Sequence, residues 1–245
     1  MQSPHRLVLQ QYSISHPCRA VRAALQFKGL EYEIDEVVPG TRRDEIEANY
    51  GAGHTTMPGM LIDGEPVHTS VAIMRRLEEL QPDPPLYPAD KGDAVRDAEE
   101  WGDGELQDLG RRLPWGALRF RPQAAGALAG IEELRPKGID AAFDSTFRAW
   151  RYHGISTVRL VDDVASLPAL LDHADELVAD GVIGGDVPNA ADFQIGATLR
   201  TLMQIGDLAP MFEGRPCADM ARRAFPDWSE HTLPAGVYPA VVLGA

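Results

Sequence analysis

The stretch QPDPPLYPAD, residues 81–90, divides the chain, because four of its ten residues are proline. Proline fixes φ and removes a backbone donor, so such a run interrupts helix and sheet alike and reads as a connection between two folded parts. Before it, strand-like and helix-like patterns alternate. RLVLQQY (6–12) reads as a strand, and Pro17 opens an amphipathic helix whose apolar positions are Val21, Ala24, Leu25 and Phe27, closed by Gly29. EYEIDEVV (31–38) alternates with period two, and TRRDEIEANYG (41–51) gives a short helix. GMLI and PVH then flank DGE, a hairpin signal, before SVAIMRRLEEL resumes helical spacing through Ile73, Leu77 and Leu80. The order β-α-β-α-β-β-α therefore fills the first 80 residues.

Beyond the prolines no strand signal remains. A long helix is expected over 94–113, weakened by Gly102 and Gly104, with further helices over 165–180 and 189–206 and shorter ones near 138–153 and 216–224. PQAAGALAG (122–130) reads as a mobile surface loop. Asn189 followed by Asp192 has the form of a capping box that fixes a helix start. The expected class is α/β plus all-α: a βαβαββα domain (1–80), a linker (81–90) and an all-helical domain (91–245).

Charge and cysteine content bound the function. A net charge of -14, from 37 acidic and 23 basic residues, disfavours nucleic acid and anionic membrane as partners. No segment approaches the roughly 18 to 20 uninterrupted apolar residues that span a bilayer, and the chain is expected in the cytoplasm. Two cysteines, Cys18 and Cys217, supply neither a disulfide framework nor a zinc site, so no metal is expected.

Three short segments carry chemistry. In SHPCR (15–19), Ser15 stands at a strand-to-helix turn, where unpaired N–H groups and the positive end of the helix dipole lower the pKa of a thiol. Ser15 is either a simple helix cap or a hydroxyl that donates to a bound thiolate. Cys18, one turn in, is a packing residue facing the sheet or, alternatively, a thiol with a redox role. In TTMPGML, Pro58 is an ordinary strand-start proline or part of a cis Met57–Pro58 bond that turns the Met57 backbone toward the Ser15 helix tip. In HTSVAI, Thr69 and Ser70 form an N-cap pair able to hold a carboxylate.

The S-x-x-C turn, the Met-Pro before a hairpin, the Thr-Ser ahead of VAIMRRLEE, the proline-rich entry into LYPAD and the helical remainder, including GGDVPNAADFQIGATL, together resemble the soluble glutathione transferase family. The resemblance implies a thioredoxin-like domain joined to an α-helical one, glutathione as co-substrate, and transfer of its sulfur to an electrophilic apolar small molecule, as in detoxification. It places Ser15 at the catalytic hydroxyl of the serine- and cysteine-type enzymes, Met57 and Pro58 on the tripeptide backbone, and Ser70 on the γ-glutamyl carboxylate. It also implies a homodimer, in which an acidic residue of the partner, Glu99, Glu100 or Asp103 by position, assists the γ-glutamyl ammonium. Two departures stand out: Thr69 replaces the usual Glu, Asp or Gln, and Thr56 replaces a basic residue. Recognition of the glycine carboxylate then falls to His54, Arg42 or Arg43. Arg112, Trp115 and Arg119 are candidates for the acceptor pocket, against a plainer reading as packing residues. The alternatives are a non-catalytic binding or assembly module, and a thiol reductase or isomerase on the same fold.

Overall fold

The computed structural model describes residues 4–38 and 40–244. Its sheet has four strands in the order β2-β1-β3-β4: β1 (Leu7–Gln11), β2 (Glu33–Glu36), β3 (Gly59–Ile62) and β4 (Glu65–His68). β1 and β2 run parallel, joined through α1 (His16–Phe27), while β1–β3 and β3–β4 are antiparallel. The β3–β4 turn is Asp63-Gly64, with φ of 54° and 91°. Two consecutive positive φ values match the twist of a two-residue hairpin, which is why Asp-Gly marks it in the sequence. α2 (Arg43–Tyr50) follows β2, and α3 (Ser70–Leu80) follows β4. The element order expected for the first 80 residues is the order found.

From Gly92 onward the described residues form helices joined by turns and loops, with an isolated bridge between Ile205 and Leu233. α4 (Gly92–Trp101) passes through a π-helical turn (Gly102–Leu106) into α5 (Gln107–Phe120). The expected single helix is thus continuous in direction, and the glycines that weaken it in the sequence are accommodated by the wider turn. Gly102 has a packing reason as well: a Cβ there would lie 2.8 Å from the Ile195 side chain. α6 (Pro136–Tyr152), α7 (Thr157–Ala179), α8 (Ala190–Met203) and α9 (Pro216–Ala224) complete the helical part. α7 begins well before the expected 165, because Ser156 accepts a hydrogen bond from Arg159 N–H and caps it. Residues 122–129, expected as a mobile loop, form a 3-10 helix that buries Gly126.

α8 is the centre of the molecule. Of its 14 residues 12 are buried, and it packs on α1, α4, α5 and α9. Its start is the expected capping box: the Asn189 side chain accepts from Ala191 and Asp192 N–H, and the Asp192 carboxylate accepts from Asn189 N–H at 2.9 Å and Gly184 N–H at 2.7 Å. The other end of the α1–α3 layer is held by Lys28. Its buried ammonium donates to Glu78 Oε2 and to the carbonyls of Gln81 and Pro84, fastening the end of α1 to the start of the proline-rich connection.

Two stability measurements follow from these contacts. Asn189→Ala removes a cap and strands buried N–H groups, so urea denaturation should show a loss of about 2 kcal/mol or more. Glu99 on α4 is fully buried against the Tyr87 hydroxyl, and burial pushes its carboxyl up to about 7. The folded protein therefore keeps a proton that the unfolded chain, titrating near 4.5, releases, and stability falls as pH rises between those values. Between about pH 5 and about pH 8, Glu99→Gln should lose less stability than the parent in the same assay.

Candidate functional site

Ser15 is the N-cap of α1, with extended φ and ψ of -72° and 124°, and is half-buried. Its side chain makes no capping hydrogen bond to the helix backbone, so capping does not occupy the hydroxyl. One turn on, Cys18 is wholly buried and accepts a long hydrogen bond from Tyr12 N–H at 3.4 Å. Burial pushes its thiol up to about 11, only partly offset by hydrogen bonding from Ser15 and Tyr12. The sequence leaves Cys18 open between packing and chemistry; its position against the sheet is a packing position.

The helix tip is seated by His16, which the sequence reading passed over. Its ring is buried against Gly110 of α5, which also abuts Thr198 of α8, and a Cβ at Gly110 would lie 3.0 Å from the ring. Nε2 has no hydrogen-bond partner, and burial beside Arg111 lowers the pKa to about 3. A neutral, wedged imidazole thus sets the distance between the start of α1 and the helical part. The signal for it was available as a histidine beside Ser15 with no counter-charge nearby in sequence.

A second wall is built from Met57 and Pro58, joined by a cis bond, and from the start of α3. Thr69 caps α3 by accepting from Ala72 N–H at 3.2 Å, and its own N–H donates to the Pro58 carbonyl at 3.3 Å. Thr69 has φ of 78° and ψ of 149°, a region a β-branched residue rarely occupies, so surrounding contacts hold it there against strain. Ser70, the first residue of α3, is buried. Behind this wall, His68 Nε2 is 2.8 Å from the Thr56 carbonyl, and the ring stacks on Tyr50 and meets His54 edge-on. Burial lowers the His68 pKa, which keeps it a neutral donor to the loop that carries Met57.

The structure brings Met57, Pro58, Thr69 and Ser70 together around one small cavity of about 60 Å³, with Pro17, Thr56, Asp103, Gln107 and Arg111 as the rest of its lining. That volume suits the head group of a ligand, with the remainder lying in the open cleft. Ser15 stands at the same helix tip, two residues before Pro17. His54 lies outside, exposed at the loop surface. Arg42 and Arg43 are engaged elsewhere, Arg42 with Asp35 and Glu45 and Arg43 with Glu47.

The acceptor-pocket candidates lie apart from this cavity, with Arg119 lining a separate one of about 220 Å³ together with Phe147, Trp150, Arg151 and Ile155. Arg112 is buried and its guanidinium is paired bidentately with Asp163, at 2.7 and 2.8 Å, and with Asp108 at 2.6 Å. It holds α5 to α7. Its neighbour Arg111 lines the cavity instead, because one residue turns the side chain by about 100° around a helix. Trp115 is half-buried against the core and its carbonyl accepts from Trp150 Nε1 at 3.0 Å. Arg119 lies over the rings of Phe143 and Phe147 on α6. Among the described residues no cluster of three or more His, Cys, Asp or Glu could hold a metal ion, and no helix is long and apolar enough to cross a membrane.

Comparison with known proteins bears on the fold. Residues 9–85 match the family model described as glutathione S-transferase, N-terminal domain. A curated rice protein, "Probable glutathione S-transferase GSTU1" of Oryza sativa subsp. indica, is 33% identical over 145 residues, which are 55% of this chain and 62% of the relative. The chain thus spans less than two thirds of that relative's length. Among solved structures, rice GST1 (OsGSTU1) in complex with glutathione superposes with a TM-score of 0.61 at 21% identity, covering 98% of this chain and 94% of that one. A glutathione S-transferase from Rhodospirillum rubrum F11 gives 0.60 at 19% identity over 97% and 98% of the two chains. A maleylacetoacetate isomerase from Anaeromyxobacter dehalogenans 2CP-1 gives 0.53 at 22% identity over 96% and 98%. Residues 9–85 belong to the glutathione S-transferase N-terminal domain family, and the chain as a whole has the thioredoxin-like-plus-helical fold of the glutathione transferases.

Proposed function

We propose that this protein is a glutathione transferase that joins the cysteine sulfur of glutathione to an electrophilic apolar small molecule. The observation that carries the reading is the convergence of Met57, Pro58, Thr69 and Ser70 on one cavity beside the Ser15 helix tip. In this reading the γ-glutamyl carboxylate sits at the start of α3, on Ser70 and the N–H groups of the first turn, where the helix dipole favours an anion. The Met57 backbone pairs with the peptide backbone of the ligand. That pairing lays the cysteine sulfur at the start of α1, where Ser15 donates a hydrogen bond to it.

A thiolate so placed is stabilised relative to the thiol, and the lowered pKa raises the fraction of nucleophile at neutral pH. No covalent bond to the protein is required. The thiol proton passes to water, the thiolate attacks the electrophilic carbon to form a carbon–sulfur bond, and either the leaving group departs with its electron pair or, in an addition, the carbanion formed takes a proton from water. The acceptor lies toward α5 and α6. Of the residues expected to meet the glycine carboxylate, Arg42 and Arg43 are paired with acidic side chains, which leaves that carboxylate facing solvent near His54. We assign the two functional parts to residues 1–80 and 91–245, with 81–90 between them. The further assignments are a homodimer, a cytoplasmic location, and a detoxification role.

Thiol reduction is disfavoured by Cys18, which is buried with its thiol pKa raised. The isomerase neighbour shares the fold at a level that does not choose between transfer and isomerisation; both need the same stabilised thiolate.

Ser15→Ala is the direct test. The variant loses no capping bond but does lose the hydrogen bond to the Cys18 sulfur, so its stability should stay within about 1 kcal/mol of the parent. Its kcat/KM with glutathione and a chlorinated nitrobenzene should fall at least about tenfold at neutral pH, and the pH profile should move to higher pH, about one unit for each 1.4 kcal/mol of lost thiolate stabilisation. A profile that stays in place removes Ser15 from the chemistry. Iodoacetamide at neutral pH should leave Cys18 and Cys217 unlabelled in the native protein and label both in urea, since burial pushes both thiols well up.

A further inference from the structure

α1 carries a second charged surface that the cleft does not use. Arg19, whose N–H donates to the Ser15 carbonyl at 3.1 Å, lays its guanidinium over the ring of Trp228, 4.1 Å from the centroid, in the segment that follows α9. Arg200, near the end of α8, donates to the Trp228 carbonyl at 3.3 Å. Arg22 stands three residues on from Arg19, on the same side of α1. Burial, together with the charges of Arg22 and Arg200, lowers the pKa of Arg19. Three guanidiniums therefore gather beside one indole. None of these four residues lines the cavity at the α1 tip.

Like charges so gathered repel, and the groups on hand do not cancel them. Among the described residues, the Arg19 side chain makes one hydrogen bond, from Nε to the Ser13 carbonyl at 3.1 Å, and neither Arg19 nor Arg22 has an ion pair. Glu36, whose carboxylate feels the charge of Arg22, accepts instead from Ser13 N–H at 2.7 Å and Gln11 Nε2 at 3.1 Å. Arg200 is paired with Glu230 at 2.9 Å, and the Glu230 side chain is 86% exposed. The donors are incomplete as well. Nε of Arg22, Nε of Arg200 and Nε1 of Trp228 are buried without a hydrogen-bond partner, and Arg200 and Trp228 are each 5% exposed. Uncompensated like charge and buried N–H groups without acceptors both carry a cost, and an anion drawn between the guanidiniums answers both. Glu230 already sets one carboxylate on the cluster, and its exposure lets it give way to a ligand oxygen.

We propose that Arg19, Arg22 and Arg200 form a binding site for a phosphate dianion, free or as a monoester, apart from the cavity at the α1 tip. The guanidinium fork matches the oxygen geometry of phosphate, and three forks suit a dianion better than the single charge that Glu230 supplies. A phosphate held there ties α1 to α8 and to the segment after α9, so the folded state gains stability as the site fills.

Calorimetric titration with inorganic phosphate and with phenyl phosphate, in chloride buffer at fixed ionic strength, tests the site. The parent should bind one equivalent of at least one probe, and whichever binds more tightly tells a free ion from a monoester. Arg22→Gln should weaken that binding at least about tenfold, as loss of one charge-assisted hydrogen bond implies. Glu230→Gln, at an exposed position, should tighten it at least about threefold, because the chain's own carboxylate no longer competes. Tm should rise with phosphate in the parent and stay level in Arg22→Gln. If neither the parent nor Glu230→Gln binds either probe, the inference is overturned. Equal affinity in the parent and Arg22→Gln puts the ion elsewhere and overturns it too. Should Arg22→Gln fail to fold, Glu230→Gln decides alone: tighter binding supports the site, and unchanged binding overturns it. The transferase reading stands or falls separately, because the residues of the two sites do not overlap.

Discussion

The site depends on where the buried α8 begins. An N-terminal turn at full burial has no water for its N–H groups, so every donor must find a partner within the protein. Asn189 and Asp192 meet that demand reciprocally, and Asp192 reaches back to Gly184 as well. Burial raises the Asp192 carboxyl above its usual range even with those N–H groups and the more distant Lys91 and Arg223 in its favour, which marks how dry the position is. With its start fixed, α8 presents Thr198 to Gly110 of α5, where His16 of α1 also packs, Ile195 to Gly102 and Gln194 to Asp103. Three contacts on one rigid helix therefore place the α1 tip and the π turn relative to each other.

The resulting cleft is assembled from parts of opposite electrostatic character. The starts of α1 and α3 each offer the positive end of a helix, and the helical half answers with one carboxylate and one guanidinium, Asp103 and Arg111. In a chain of net charge -14, such local positive ends matter because the long-range field would turn an anion away. Burial narrows them to short-range contacts that read charge only once a ligand is seated.

Much of this was legible in the sequence, for identifiable reasons. Patterns with a local cause came through: the Asp63-Gly64 hairpin through φ, the proline-rich connection through its missing donors, the Asn189–Asp192 box through its spacing. Met57, Pro58, Thr69 and Ser70 stand out in the sequence because each lies at the end of an element, where backbone groups are exposed for use, and the structure brings them to one cavity. The misses share a different cause. Whether Arg111 or Arg112 faces the cleft depends on helix phase, and the π turn resets that phase just upstream of both. His16 gains its role from Gly110 and Thr198, about 90 and 180 residues away in the chain, and Asp103 gains its orientation from Gln194. No window of sequence contains those pairs. The first turns of α7 were lost because Val158 is exposed and spoils the apolar period that Leu160 and Val164 would otherwise show.

Lys28 has a mechanical consequence. Its ammonium, sealed from solvent and shared among a carboxylate and two carbonyls, removes the hinge that a run of prolines between two parts would otherwise suggest. Two residues on, the same connection is tied to the bundle, where Ala190 N–H donates to the Leu86 carbonyl at 3.0 Å. Any adjustment to cargo of different size must then come from the rim, where a single hydroxyl pair, Thr55 and Tyr152 at 2.8 Å, is the clasp between the 51–56 segment and the end of α6.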